Sequence, residues 1–293
     1  MLNLLKRLIN PIRDAWFMHF VEKPDTVAQL QLRLAYQNLV ASGQTLPSLD
    51  EVGFKAFSQT DEDGILWFIF SIIGVSNRRC VEICAGNGIE CNTANLIVNH
   101  GWHGMLVEGD KNLVQRGQAF YRRHAHTQIY PPVFVNAWIT RDNVNAVLRQ
   151  NQFSGEVDLL SIDMDGVDYW IWDAIIEIDP RVVVVEYQDI LGAERAVTVP
   201  YQPDFDSGQY PLTDGMPNFC GASLAAFVKL AAQKGYRLVG CNRYGFNAFF
   251  VKSELGVAEI PTVSAESCFQ HPKTQWGITK RYPLVKDLPW EEV

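Results

Sequence analysis

The chain has no long apolar run, no Cys-x-x-Cys pair, no zinc-type histidine spacing and no surplus of positive charge. Each absence removes a class of function. The opening Met1–Pro11 is apolar but broken by Pro11, far short of the ~20 residues that span a bilayer, so no secretory or transmembrane segment is expected. Its plainest reading is a helix packed on the protein's own core; a short interfacial helix touching a membrane or a partner subunit is the second. A cytoplasmic location, peripheral to the membrane in the second reading, follows. With 25 Lys and Arg against 33 Asp and Glu the net charge is −8, which argues against a nucleic-acid partner. Cys80, Cys84, Cys91, Cys220, Cys241 and Cys268 are scattered, as packed free thiols would be. His100, His103, His124, His126 and His271 lack the His-Glu-x-x-His spacing, and surface or satisfied core roles suit them. His271 is the exception to watch, because a tail can fold over a site. There is no internal repeat or low-complexity stretch.

What is present is an alternation of strands and helices, the pattern of an α/β protein with helices on both faces of a parallel sheet. Residues 1–45 read as a helical arm, one that could carry homo-oligomerisation, closed by Ala41-Ser42-Gly43. Residues 46–255 form the main domain. Gly64–Ile73 reads as a buried helix with Asp61, Glu62 and Asp63 at its start. Strands are predicted at 79–84, 103–108, 132–137, 157–162 and 181–186. Helices fit between them at about 91–100, 111–124, 141–151 and 167–177. An amphipathic helix at 223–234, stopped by Gly235, precedes two further strands at 236–241 and 247–252. Residues 190–221 have little periodicity and read as an inserted lid. Residues 256–293 read as an irregular tail.

Val81–Glu90 is the most informative stretch. It runs from a strand through Glu82 into a turn with Gly86 and Gly88, then into a helix. Glycines allow close backbone approach to a ligand, and a helix start offers unpaired N–H groups. Glu108, ending the next strand, follows Gly86 by 22 residues, close to the ~20 expected of a carboxylate on a ribose hydroxyl pair. This is the signature of a Rossmann-like nucleoside site. The dinucleotide fingerprint Gly-x-Gly-x-x-Gly is not completed, since Cys91 stands where its third glycine would be.

Phe57–Ile65 (FSQTDEDGI) resembles the Ser-Gln-x-x-Glu-Asp-Gly segment of FkbM-type methyltransferases. Asp158–Gly166 resembles their fourth strand and its turn, and Asn247–Val251 their closing strand; the similarity spans about residues 55–252. It implies a class I sheet, mostly parallel with an antiparallel last strand, and S-adenosylmethionine (SAM) as cofactor. It also implies O-methyl transfer to a hydroxyl of a sugar, glycan or secondary metabolite. Within that resemblance Glu82 lies near the methionine amino group, Gly86 and Gly88 line the cofactor, and Glu108 holds the ribose. Asn136 and Ala137 sit where adenine is read, and Gln59 approaches the methionine end. One departure is Cys84, where such enzymes usually carry glycine; a positive φ there would cost energy.

Asp163, Asp165 and Glu186 end two strands that neighbour one another in this topology, so they are expected to face one crevice. Asp163 and Glu186 are the candidate catalytic residues, with Asp163 also against the cofactor. Either acts as general base, or all three hold Mg²⁺ or another divalent cation that activates the acceptor hydroxyl, as in catechol O-methyltransferase-like enzymes. Asp165-Gly166 as a plain turn, with Asp168 as a helix cap, is the bland alternative. Asp163-Met164-Asp165 also matches the Asp-x-Asp of metal-dependent glycosyltransferases. A SAM-binding partner protein without turnover is the non-enzymatic alternative.

Overall fold

The computed structural model describes residues 26–293. The arm's first 25 residues, with the Met1–Pro11 segment and the membrane or partner contact considered for it, lie outside the described residues. Among those described, no helix is long and apolar enough to cross a membrane.

The elements in order are α1 (Thr26–Ala41), α2 (Leu49–Val52), α3 (Glu62–Ile73), β1 (Arg79–Ile83), α4 (Ala94–His100), β2 (His103–Glu108) and α5 (Lys111–Arg123). They continue with β3 (Val133–Asn136), α6 (Val144–Gln150), β4 (Gly155–Ile162), α7 (Asp168–Ala174), β5 (Ile178–Glu186) and β6 (Val197–Thr198). Then come β7 (Leu212–Thr213), β8 (Met216–Pro217), α8 (Leu224–Lys234), β9 (Tyr236–Cys241), β10 (Asn247–Lys252), α9 (Pro272–Trp276) and β11 (Glu291–Glu292). The main sheet has seven strands in the order β3-β2-β1-β4-β5-β10-β9. Six run in the same direction; β10 alone runs against them, between β5 and β9. That is the Rossmann-like sheet of class I methyltransferases, with the antiparallel closing strand expected of it.

Strand periodicity explains the two-sided core. Val81, Ile83, Val183, Val185 and Phe250 point to one face, where Ile171, Trp172 and Phe227 of α7 and α8 cover them. Cys80, Leu159, Val182, Val184 and Phe249 point to the other, under Leu66, Ile69 and Leu96 of α3 and α4. Helix α3 is buried nearly all round, which is why its sequence is almost continuously apolar.

The FSQTDEDGI segment proves to be a clamp. Asp63 Oδ2 accepts the backbone N–H groups of Ala56, Phe57 and Ser58 at 2.6–2.7 Å. Glu62 accepts from the side-chain amides of Asn242 and Asn247, tying α3 to the β9–β10 turn. At Gly64 a Cβ would meet Phe54 N at 2.3 Å and Val52 O at 2.4 Å, so no other residue fits. The tail corrects the expectation of irregularity. It forms a 3₁₀ turn at Ala265–Phe269, α9, a π turn and β11, and it buries Cys268, Phe269 and Val285 in the core. β11 pairs with β6 inside the 190–221 segment.

Candidate functional site

The turn after β1 is built on left-handed residues. Cys84, Gly86 and Gly88 have φ of +62°, +58° and +67°. The cost foreseen at Cys84 is therefore incurred, since its thiol side chain sits on a conformation that favours glycine. At Gly88 a Cβ would meet Leu106 Cδ1 at 2.7 Å and Phe134 Cζ at 2.9 Å; at Gly86 it would meet nothing within 4 Å. The Gly86 N–H donates to Glu108 Oε2 at 2.9 Å and the Asp110 N–H to Glu108 Oε1 at 2.8 Å. The carboxylate is thus locked beside the glycine turn, and each oxygen keeps a lone pair for a further donor.

Two cavities open at the carboxyl ends of the strands. The first, of about 310 Å³, is lined by Cys84, Glu108, Ala137, Trp138, Asp163 and Asp165 and covered by Pro203 and Phe205 of the 190–221 segment. The Trp138 indole N–H donates to Pro203 O at 2.7 Å, joining the cover to the end of β3. The second, of about 270 Å³, is lined by Gln59, Asp165, Asp168, Glu186, Tyr187, Asp189, Met216, Cys220, Phe246, Lys273 and Arg281. Asp165, exposed and at φ +51°, lines both.

Asp163 faces the first cavity and Glu186 the second, and their carboxyl groups are hydrogen-bonded to each other. Burial pushes both well up from the ordinary carboxylate range. Glu186 is raised further by the charges of Asp163 and Asp165 and by its bond to Asp163, which that bond in turn lowers. The two carboxyls therefore titrate as a pair, with a proton held between them around neutrality. Asp168, also raised by burial, to about 6, folds back to accept the N–H groups of Met164 and Gly166 and so shapes the turn that carries Asp165.

Other expected residues are placed differently. Glu82 lines neither cavity: its buried carboxylate accepts the N–H groups of Asn92 and Thr93 and the Thr93 hydroxyl, securing the approach to α4. Asn136 lines neither; its side-chain amide donates to Glu108 O and Gly109 O at 2.9 Å, holding the turn that presents Glu108. Gln59 lies in the second cavity, away from Glu108. His271 caps α9, accepting from Lys273 N at 3.1 Å. The tail does reach the site, through Lys273 and Arg281, both paired with Asp189 at 2.8 and 3.3 Å. The sequence offered no sign of either, nor of Trp138, except that Trp138 comes two residues after the β3 end.

The metal reading finds no support. Among the described residues no group of three His, Cys, Asp or Glu side chains is arranged to hold a metal ion.

No family model matches the chain, and no curated protein sequence matches it. Solved methyltransferase structures show only a distant likeness to it. The magnesium protoporphyrin IX methyltransferase of Synechocystis, solved with bound SAM, is 13% identical over 79% of this chain and 82% of its own, with a TM-score of 0.35. The precorrin-6y C5,15-methyltransferase of Geobacter metallireducens is 12% identical over 64% and 77%, with a TM-score of 0.36. A SAM-dependent methyltransferase of Clostridium acetobutylicum is 11% identical over 61% and 84%, with a TM-score of 0.35. Likenesses this distant decide nothing about activity; the residues of the site must.

Proposed function

We propose that the protein is a SAM-dependent O-methyltransferase acting on a hydroxyl of a sugar, glycan or secondary metabolite. The observation that carries this reading is the pairing of two cavities that meet at Asp165, one beside the glycine turn and Glu108, the other beside Glu186. The first cavity suits the cofactor. The free lone pairs of Glu108 accept the ribose hydroxyls, Trp138 offers a flat face for the adenine, and the bare turn at Gly86 leaves room for close approach.

SAM supplies a methyl group already activated on a sulfonium centre. The chain's residues do the rest. The second cavity holds the acceptor, with Gln59 and Asp165 as polar contacts and Met216, Cys220 and Phe246 as apolar walls. An acceptor hydroxyl that reaches past Asp165, where the two cavities meet, gives its proton to Asp163, which is hydrogen-bonded to Glu186. Pro203 and Phe205 keep water from the first cavity.

Calorimetric titration with S-adenosylhomocysteine, beside NADH and UDP-sugars with and without Mg²⁺, tests this directly. One-site binding of S-adenosylhomocysteine alone supports the reading. A metal-dependent UDP-sugar response in its place overturns it in favour of glycosyl transfer at Asp163-Met164-Asp165.

A further inference from the structure

A third cavity, of about 220 Å³, lies at the opposite end of the sheet, between α1 and the segments that lead into β1 and β2. Its walls are aromatic: Trp67 stacks on His100 with ring centroids 3.8 Å apart, and Phe70 meets Trp102 edge-on at 4.8 Å. Arg33 from α1 and Arg78 from the turn before β1 complete it, with Asn99 and Ser71. Among the described residues no carboxylate lines it, in a chain with eight more acidic than basic residues. Neither guanidinium has an ion-pair or hydrogen-bond partner among the described residues.

The electrostatics bear the imprint of that imbalance. Burial and then the charges of Arg33 and Arg78 push His100 down to about 4, so at neutral pH it is uncharged. With its Nε2 2.6 Å from Gln29 Oε1, it carries its proton on that nitrogen and donates to the glutamine. Two cations thus act on one small cavity that no described acid lines.

We propose that this cavity binds an organic phosphate, its phosphoryl group between Arg33 and Arg78 and its flat apolar part against Trp67, Phe70 and Trp102. Two guanidinium forks offer more parallel donors than a single carboxylate can accept, whereas a phosphate monoester has three oxygens for them. Aromatic rings favour a planar substituent. The site is separate from the two cavities at the strand ends, and it stands or falls independently of the methyl-transfer reading.

Phenyl phosphate is a suitable probe, titrated calorimetrically into the full chain, with phenol and inorganic phosphate alongside. Binding at one site is expected, weakening as salt rises, with inorganic phosphate weaker and phenol silent. Arg33→Gln and Arg78→Gln, both at partly or fully exposed positions, should each weaken it at least tenfold. Thermal unfolding followed by circular dichroism, measured on the same variants, should keep its midpoint and serves as the check that they fold. Absence of phenyl phosphate binding by the unmodified protein, or binding that both variants leave intact, overturns the proposal.

Discussion

The carboxyl groups of Asp163 and Glu186 are hydrogen-bonded to each other across the wall between the two cavities at the strand ends. In the proposed reaction Asp163 is the base and Glu186 its hydrogen-bond partner, although both are carboxyls on adjoining strands. Their substitutions should therefore differ. Asp163→Asn removes the proton acceptor and should lower kcat by about 10²–10⁴. Glu186→Gln still donates a hydrogen bond to Asp163 and should cost much less, about tenfold or under. Steady-state kinetics with S-adenosylhomocysteine binding in parallel separates these from loss of the cofactor. Equal losses in both variants would sink the assignment.

The pH profile follows from the same pair. Asp163 is raised by burial to about 7, so its base form is lost as pH falls through neutrality rather than near 4. kcat/KM should rise with pH with a slope of one and level off above about 7. A flat profile between pH 5 and 8 would show that no carboxyl of this pair accepts the proton.

Glu108 should matter for affinity and little for turnover. Glu108→Ala removes two charge-assisted acceptors of the ribose, each worth about 1.5–3 kcal/mol. S-adenosylhomocysteine affinity should drop by more than tenfold, with Glu108→Gln in between. Undiminished calorimetric affinity in the alanine variant would place the ribose elsewhere.

The glycine turn predicts a contrast in stability. Gly88→Ala combines positive φ with contacts of 2.7 and 2.9 Å and should cost about 2–4 kcal/mol; Gly86→Ala, open to solvent, only about 1–2. Cys84→Gly relieves a strained φ and should be neutral or stabilising by up to about 1 kcal/mol. Urea denaturation midpoints give the order directly.

Much of this architecture was legible beforehand. The alternation of apolar runs placed all seven strands of the main sheet, because buried parallel strands have few other ways to be written. Glu108 was legible because a fixed chain length separates it from the glycine turn. The placement of Glu82 was less legible for an equally physical reason. An acid at a strand end can turn toward the ligand or toward the next helix, and only the fold shows that the Asn92 and Thr93 amides claim it. Lys273 and Arg281 were invisible, since short 3₁₀ and π turns leave no period to read and an ion pair across 84 or 92 residues has no local signal. The metal reading gained no support, since among the described residues no group of acids gathers around one point.

The tail's place divides the two cavities between different spans of the chain. Every residue around the first lies between Cys84 and Phe205, whereas the second also draws on Lys273 and Arg281. Yet β11 pairs with β6 in the segment that covers the first cavity, so the last residues brace both.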